Sequence, residues 1–545
     1  MKRKSLYALI VCGCLCASCT DWLDVNHNPN YALEETVTKD LLLSFVENDM
    51  NADRATTYHG VQNMAEHLTK SGTVSGTYPF LTGLLAPQNS DDYWSTRYAR
   101  IMNLKSIVRK AAEENNAGYE GIAGVLTVIN FRELVDIFGD VPYTEAALGN
   151  EYLAPKYDKG EDIYANLLKD IDDAISKLDE AINDPTYSIG TLKKADIICK
   201  GDLKQWRRYA YSIKLSLLMR ISNVQDVSAQ VTAIKDQGLD INEVIKGNPG
   251  YYKADDKMNH VYEYWGWTYL DYESTYHKQV VPTSQLVDEL RDNNDPRLRV
   301  YIDPRKSLAE DKNGRTDYKK HGLDKEYYIG VPYGQLFPAD GDNASKIGLG
   351  ILAKSSSKVD GPQEDIYIMP GALVGFYLAE AALRGMIEGG DAQAKIYYEK
   401  AVTSAIKMYE KALLDNGYPM AGVKAPISGT AEEAAIQFLS QDNKKVNWDL
   451  MTTTEEKMRA IQTQKWISLF MIDPLEAWSE QRRTDYPKLK VSHSQAKGNK
   501  LIIRFPYPNT ERNLNPNNFV EIDIFESLIF WDKKNEEAEK VSDYL

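Results

Sequence analysis

The sequence predicts a mainly α-helical fold with long loops and a few short strands. Apolar residues recur at spacings of three and four through several long segments. Glycine and proline fall between those segments, where helices must stop. The intervening stretches are long and have little period of either kind.

Residues 119–138 read as the first strongly helical segment. Gly139-Asp140-Val141-Pro142 ends it, because glycine permits a left-handed exit and proline cannot continue a helix. From Asp158 to Leu178, Tyr164, Leu168, Ile171, Ile175 and Leu178 share one face. Asp158 with Glu161 three residues on has the form of a capping box, with Asp in place of the usual Ser or Thr. Asp184-Pro185 and Gly190 lie past the exit of this helix. A third helix covers 203–222, with Trp206, Tyr209, Ile213, Leu217 and Arg220 on or beside one stripe.

The clearest helical hairpin is 366–412. Leu373, Phe376, Tyr377, Glu380 and Leu383 mark its first helix, Gly389-Gly390 breaks it, and Asp391 can cap the second. Ala394, Tyr397, Ala401, Ala405 and Tyr409 then face one way, and small residues four apart let two helices approach closely. A pair of this length has the form of a tetratricopeptide-type unit, degenerate because no strict consensus repeats. Such arrays are usually scaffolds or partner surfaces.

Residues 303–365 are rich in Gly, Asp, Lys and Ser, and 485–525 carry Pro487, Pro506, Pro508 and Pro516. Loops this long are often functional, with surface decoration the alternative for most of their length. No linker separates independent domains. The expected organisation is a leader at 1–18 and one large helical domain at 19–545.

The leader has Lys2, Arg3 and Lys4, then an apolar run from Leu6 to Ala17. That run is far short of the ~20 residues a spanning helix needs, and it matches a secretory signal. It ends in Cys16-Ala17-Ser18-Cys19, the form of a bacterial lipoprotein processing site. Cys19 is then the lipid-bearing first residue. Cys14 also follows a small residue, but its apolar run is too short, and the bland alternative is an ordinary cleaved signal. Several acyl chains anchor stably where one is marginal.

Four of the 5 cysteines lie in or at the end of the leader, which leaves Cys199. An exported chain of 545 residues without a disulfide framework relies on its core, and it is long enough to do so. The net charge of -15 argues against nucleic acid, since phosphate binding needs clustered Lys and Arg. It also gives no grip on anionic lipid, so the lipid anchor is the expected membrane attachment.

The chain carries 35 Tyr and 9 Trp against 12 Phe. Sugars offer apolar C–H faces and many hydroxyls, so a sugar site wants Tyr or Trp platforms beside polar hydrogen-bonders. Two loops fit. Ser71 to Trp94 offers Tyr78, Asn89, Asp91, Asp92, Tyr93 and Trp94. Tyr262 to Tyr276 offers Tyr264, Trp265, Trp267 and Tyr269, and on a strand Trp265 and Trp267 would face one side. The packing alternatives are Trp94 at the head of the following helix, and Trp265 and Trp267 covering the core beneath a short hairpin.

No enzyme motif stands out. There is no nucleophile-elbow Gly-x-Ser-x-Gly, no HExxH and no phosphate-binding glycine loop with Lys. His59 and His67 are read as helix-surface or packing residues rather than metal ligands. No catalytic residue, cofactor or metal is expected. A glycosidase needs two carboxylates at a defined separation, which 79 acidic residues supply only by chance.

Several segments, in order, resemble the SusD/RagB family of nutrient-binding lipoproteins. They are CTDWLDVNHNPN (19–30), FRELVDIFGDVPYTEAAL (131–148), GDLKQWRRYAYSIKLSLLMRIS (201–222), NDPRL (294–298), MPGALVGFYLAEAALRG (369–385), EAWSEQRRTDYP (476–487) and RFPYPNTERNLNPNNF (504–519). The resemblance implies a SusD-like helical domain and a surface-exposed outer-membrane lipoprotein of Bacteroidetes type. It implies a SusC-like TonB-dependent transporter as partner and an oligosaccharide, or alternatively a peptide, as ligand. Family ligand contacts often come from the early loop region, while the motifs themselves are largely structural. The other readings to hold against it are a glycan hydrolase on a helical scaffold and a pure assembly scaffold.

Overall fold

The computed structural model describes residues 37–56, 58–71, 78–148, 151–305, 327–335, 344–414 and 429–533. The leader and Cys19 lie outside the described residues, as do 306–326 and 336–343 of the 303–365 loop.

The predicted helices form. We label α1 Lys39–Ala55, α2 Asp91–Glu113, α3 Ala117–Phe138, α4 Gly160–Asn183 and α5 Leu203–Ile221. In the second half are α6 His260–Trp265, α7 Gly371–Leu383, α8 Gly390–Lys407, α9 Ala431–Leu439, α10 Thr454–Ser468 and α11 Pro474–Thr484. Consecutive helices pack on one another: α2 on α3, α3 on α4, α4 on α5, and α7 on α8. Helix α7 also packs on α5 and α10, which joins the two halves through one core.

Small residues set how closely the helices meet. A Cβ added at Gly121 would lie 2.7 Å from Leu178 Cγ, and one at Gly124 would lie 2.9 Å from Ala174 Cβ. In the α7–α8 hairpin a Cβ at Gly375 would lie 2.7 Å from Ala401 Cβ. Contacts this short leave no room for a side chain.

The strands are short and form three separate antiparallel pairs. They are β1 Leu68–Lys70 with β3 Val280–Pro282, β2 Val244–Gly247 with β6 Ile366–Pro370, and β4 Ile302–Asp303 with β5 Lys346–Ile347. In the first, Leu68 pairs with Pro282 and Lys70 with Val280.

Three expectations need correction. Asp158 does not cap α4: Lys159 holds that position without a side-chain bond. Asp158 instead accepts the backbone N–H groups of Tyr143 (2.9 Å) and Thr144 (2.8 Å), fixing the turn after Gly139. The donor at the head of α4, Gly160 N–H, goes to Asp140 at 2.9 Å. Asp391 is not the cap of α8 either. Gly389 occupies that position with positive φ, and Asp391 pairs with Lys457 at 2.6 Å. Residues 260–265 are helix rather than strand, because Asn259 accepts Tyr262 N–H at 2.9 Å and starts a turn.

The last motifs of the sequence build a buried charge network. Arg220 of α5 reaches Asp136 (3.3 Å), Glu476 (2.7 Å) and Glu480 (2.5 Å). Lys465 of α10 pairs with Glu480 at 2.5 Å. Arg482 lies 3.5 Å above the Trp478 ring and donates to the carbonyls of Ile503 and Asp136, both at 2.8 Å. Buried charges persist only when paired in this way. The network ties α3, α5, α7, α10 and α11 together. Among the described residues no helix is long and apolar enough to cross a membrane.

Candidate ligand site

The two sequence loops come together around His59, which contacts Tyr78 of the first and Tyr276 of the second. Strand pair β1–β3 brings residue 70 against residue 280, so the chain leaving β1 and the chain entering β3 lie side by side. Tyr78 then precedes a short helix, Pro79–Thr82, and Tyr276 lies in Thr275–Gln279 just before β3. Tyr264 sits near the end of α6.

Tyr264 and Tyr276 stack with ring centroids 4.0 Å apart and planes 19° from parallel. Tyr78 shares a 2.8 Å hydrogen bond with His59 Nε2. His59 packs edge-on to Tyr276 at 4.8 Å. Lys70 Nζ lies 5.8 Å from the Tyr78 ring. His59, Tyr78, Tyr264 and Tyr276 are all partly open to solvent.

Trp265 forms the floor of this cluster. It is fully buried, 5.3 Å from Tyr264, 5.9 Å from Tyr276 and 5.5 Å from His59 between ring centroids. Its ring therefore faces its neighbours and not solvent. Trp267 is also buried, between Tyr262 and His277, with Lys358 Nζ 4.3 Å from its ring. Tyr269 is exposed on the turn that follows.

The early loop divides differently. Asn89 accepts Ala86 N–H at 2.9 Å and shapes the turn before α2. Asp91 and Asp92 occupy the first turn of α2, where a carboxylate favours the exposed N–H groups of a helix start. Trp94 is buried among Tyr98 (4.9 Å), Phe138 (5.1 Å) and Tyr157 (6.1 Å). Of the residues singled out from sequence, Tyr78 and Tyr264 join one cluster, and Tyr269 and Asp92 are exposed elsewhere.

Sequence reasoning missed His59, Lys70 and Tyr276. Tyr276 closed the loop already singled out. His59 and Lys70 had no signal, since only the β1–β3 pairing places them here.

Electrostatically the cluster is neutral at its centre. Burial pushes the His59 imidazole down to about 4, so it meets Tyr78 uncharged at neutral pH. Burial raises the Tyr78 and Tyr264 hydroxyls, so both keep their protons. Burial lowers the Lys70 ammonium. The arrangement offers flat rings, phenolic hydroxyls and one ammonium. That suits stacking on an apolar face with hydrogen bonds at its edge. Among the described residues no group of three or more His, Cys, Asp or Glu could hold a metal ion.

Comparison with known proteins places this geometry in context. The SusD-like family described as starch-binding associating with outer membrane matches residues 30–508. No curated protein matches the chain. Among solved structures, a SusD homologue from Bacteroides fragilis is 20% identical with a TM-score of 0.72, covering 91% of this chain and 100% of that one. A SusD/RagB family protein from Bacteroides thetaiotaomicron is 17% identical with a TM-score of 0.69, over 91% and 99%. A chitin-binding SusD homologue from Flavobacterium johnsoniae is 20% identical with a TM-score of 0.67, over 90% and 98%. At these identities the likeness concerns the fold.

Proposed function

The chain belongs to the SusD-like family, and from that premise we propose that it captures oligosaccharide nutrients at the outer membrane and passes them to a SusC-like TonB-dependent transporter. The observation that carries the ligand class is the partly exposed stack of Tyr264 on Tyr276 beside the Tyr78–His59 pair. A sugar ring can lie on such a platform while its hydroxyls meet the phenols and Lys70. Tyr78, Tyr264 and Tyr276 are the ligand contacts in this reading, and Trp265 holds Tyr264 and Tyr276 from below.

Capture of this kind is reversible binding without chemistry. The described cluster contains no pair of carboxylates for bond cleavage. Lipid attachment at Cys19 would hold the domain at the cell surface, with Thr20 to Asn30 as tether. The chitin-binding homologue and the starch-binding description of the family both favour glycans over peptides.

Calorimetry against maltose-series and chitin-series oligosaccharides, with peptides in parallel, tests the reading. Saturable glycan binding that leaves the sugar intact by mass spectrometry is expected. Binding of peptides alone moves the cargo to the peptide class, and cleaved sugar makes the protein a hydrolase. Co-purification with a SusC-like transporter tests the partner.

A further inference from the structure

The chain is acidic, with 79 Asp and Glu against 64 Lys and Arg. Its tyrosine hydroxyls often donate to carboxylates: Tyr143 to Asp170, Tyr157 to Glu511 at 2.8 Å and Tyr486 to Glu455 at 2.9 Å. The cluster around the Tyr264–Tyr276 stack departs from that pattern. Burial, and then neighbouring phenols rather than carboxylates, raises the Tyr78 and Tyr264 hydroxyls. Burial lowers both the His59 imidazole and the Lys70 ammonium.

Ammonium groups gather at this place instead. Lys70 is 8% exposed, with Nζ 5.8 Å from the Tyr78 ring. Strand β1 sets it opposite Val280, two residues after Lys278. The Lys278 carbonyl accepts the Ser71 hydroxyl at 3.3 Å and Lys346 Nζ at 3.0 Å. The chain at Lys70, the exposed Lys278 and the Lys346 ammonium therefore converge on one backbone node, two residues from Tyr276. Asp303 stands opposite Lys346 in β4–β5 and offsets part of that charge. Glu273 is turned to His277, with Oε2 3.9 Å from Nδ1.

Donor chemistry separates the possible sugars. A neutral sugar hydroxyl both gives and takes hydrogen bonds, so it suits a mixture of donors and acceptors. An ammonium only gives, and a phenol that keeps its proton can give as well. A donor-rich, half-buried patch in an acidic chain complements a carboxylate or a sulfate. Reduced solvent screening strengthens that pairing. An anion beside Lys70 also favours the charged form that burial opposes.

We propose that the ligand of this site is an acidic oligosaccharide, whose carboxylate or sulfate groups meet Lys70 and Lys278 while a sugar ring lies on the Tyr264–Tyr276 stack. The inference rests on the glycan reading above and narrows it to one charge class.

The test is calorimetry with oligogalacturonates and with the same oligomers after reduction of their carboxyl groups. Reduction keeps length and linkage and removes the charge. Chondroitin sulfate oligosaccharides and their desulfated forms supply the sulfate arm, and maltose- and chitin-series oligosaccharides the neutral one. At least one acidic series should bind about tenfold or more tighter than its charge-depleted counterpart. That advantage should shrink between about 0.05 M and about 0.5 M salt. Lys70→Met and Lys278→Ala should each bring the ratio of acidic to neutral affinity toward one, and Lys70→Arg should retain most of it. Lys278 is exposed, so its variant reports on binding even where Lys70→Met shifts the unfolding midpoint. Neutral series that bind as tightly as the acidic ones overturn the acidic class while glycan capture stands. An acidic preference that survives both lysine variants overturns the assignment to Lys70 and Lys278. Absence of any glycan binding by the unmodified protein overturns the glycan reading and this inference with it.

Discussion

Arg483 meets Glu380 with both arms of its guanidinium, at 2.8 Å and 2.6 Å, and both residues are fully removed from solvent. Burial alone would raise the Glu380 carboxyl, but Arg483 and then Lys465 outweigh it and hold it down to about 2. Arg483→Met leaves that carboxylate without its main partner. We expect a loss of about 3–5 kcal/mol in urea unfolding at neutral pH. The sign with pH follows from the depressed value. The pair's contribution is complete above the unfolded carboxyl range and fades as pH falls toward about 2. The cost of the substitution should therefore shrink in acid.

Trp265 separates a stability role from a binding role. It is fully buried beneath Tyr264, Tyr276 and His59. Trp265→Ala opens a cavity and should cost about 3–5 kcal/mol in denaturant unfolding. Any loss of ligand affinity would follow from the slackened floor. Trp265→Phe, which keeps a ring there, should recover most of the stability and the affinity together.

The helices were legible because their signal is local. Trp206, Tyr209, Ile213 and Leu217 lie on one buried stripe as their spacing required, and Gly139 ends α3 with the positive φ its turn needs. The SusD-like family was legible from ordered motifs, and most of those motifs turn out to build the buried network around Arg220 and Glu480. The candidate site was only half legible. Aromatic content marked the right loops, but periodicity could not tell an exposed ring from a buried one. Trp265 and Tyr264 are neighbours in the chain with opposite fates. His59 and Lys70 reach the site through pairing with residues more than two hundred positions away, which no local pattern encodes.

Glu66 and His67 give a pH signature. Both are buried, and burial pushes the Glu66 carboxyl up to about 8 and the His67 imidazole down to about 3. Above the unfolded carboxyl range the unfolded chain releases the Glu66 proton while the folded chain keeps it. Stability from this group therefore falls as pH rises toward about 8. Glu66→Gln can still accept the backbone N–H of Lys490 and removes the ionisation. It should gain on the order of 2–4 kcal/mol near pH 8 and about nothing near pH 4, read from urea unfolding at both values. His67 acts oppositely: the unfolded chain takes up a proton below the usual histidine range and the folded chain does not. Its contribution is therefore lost as pH falls toward about 3.

The Tyr264–Tyr276 stack is the part of the site that a single substitution addresses most directly. Both rings are partly open, so truncating one costs less folding energy than removing the Trp265 floor. Tyr276→Ala removes a face from the platform and the edge contact to His59 at 4.8 Å. Glycan affinity should fall about tenfold by calorimetry, with only a small shift in the unfolding midpoint. Tyr276→Phe should bind nearly as well if stacking dominates, and poorly if the hydroxyl carries the contact. Because burial holds the His59 imidazole at about 4, His59 stays neutral and its pair with Tyr78 persists across the neutral range. Affinity should then be flat from about pH 5 to about pH 8 and drop only when His59 takes up a proton near 4. A mid-range step near the ordinary histidine value would instead assign the pH-sensitive contact to a different group.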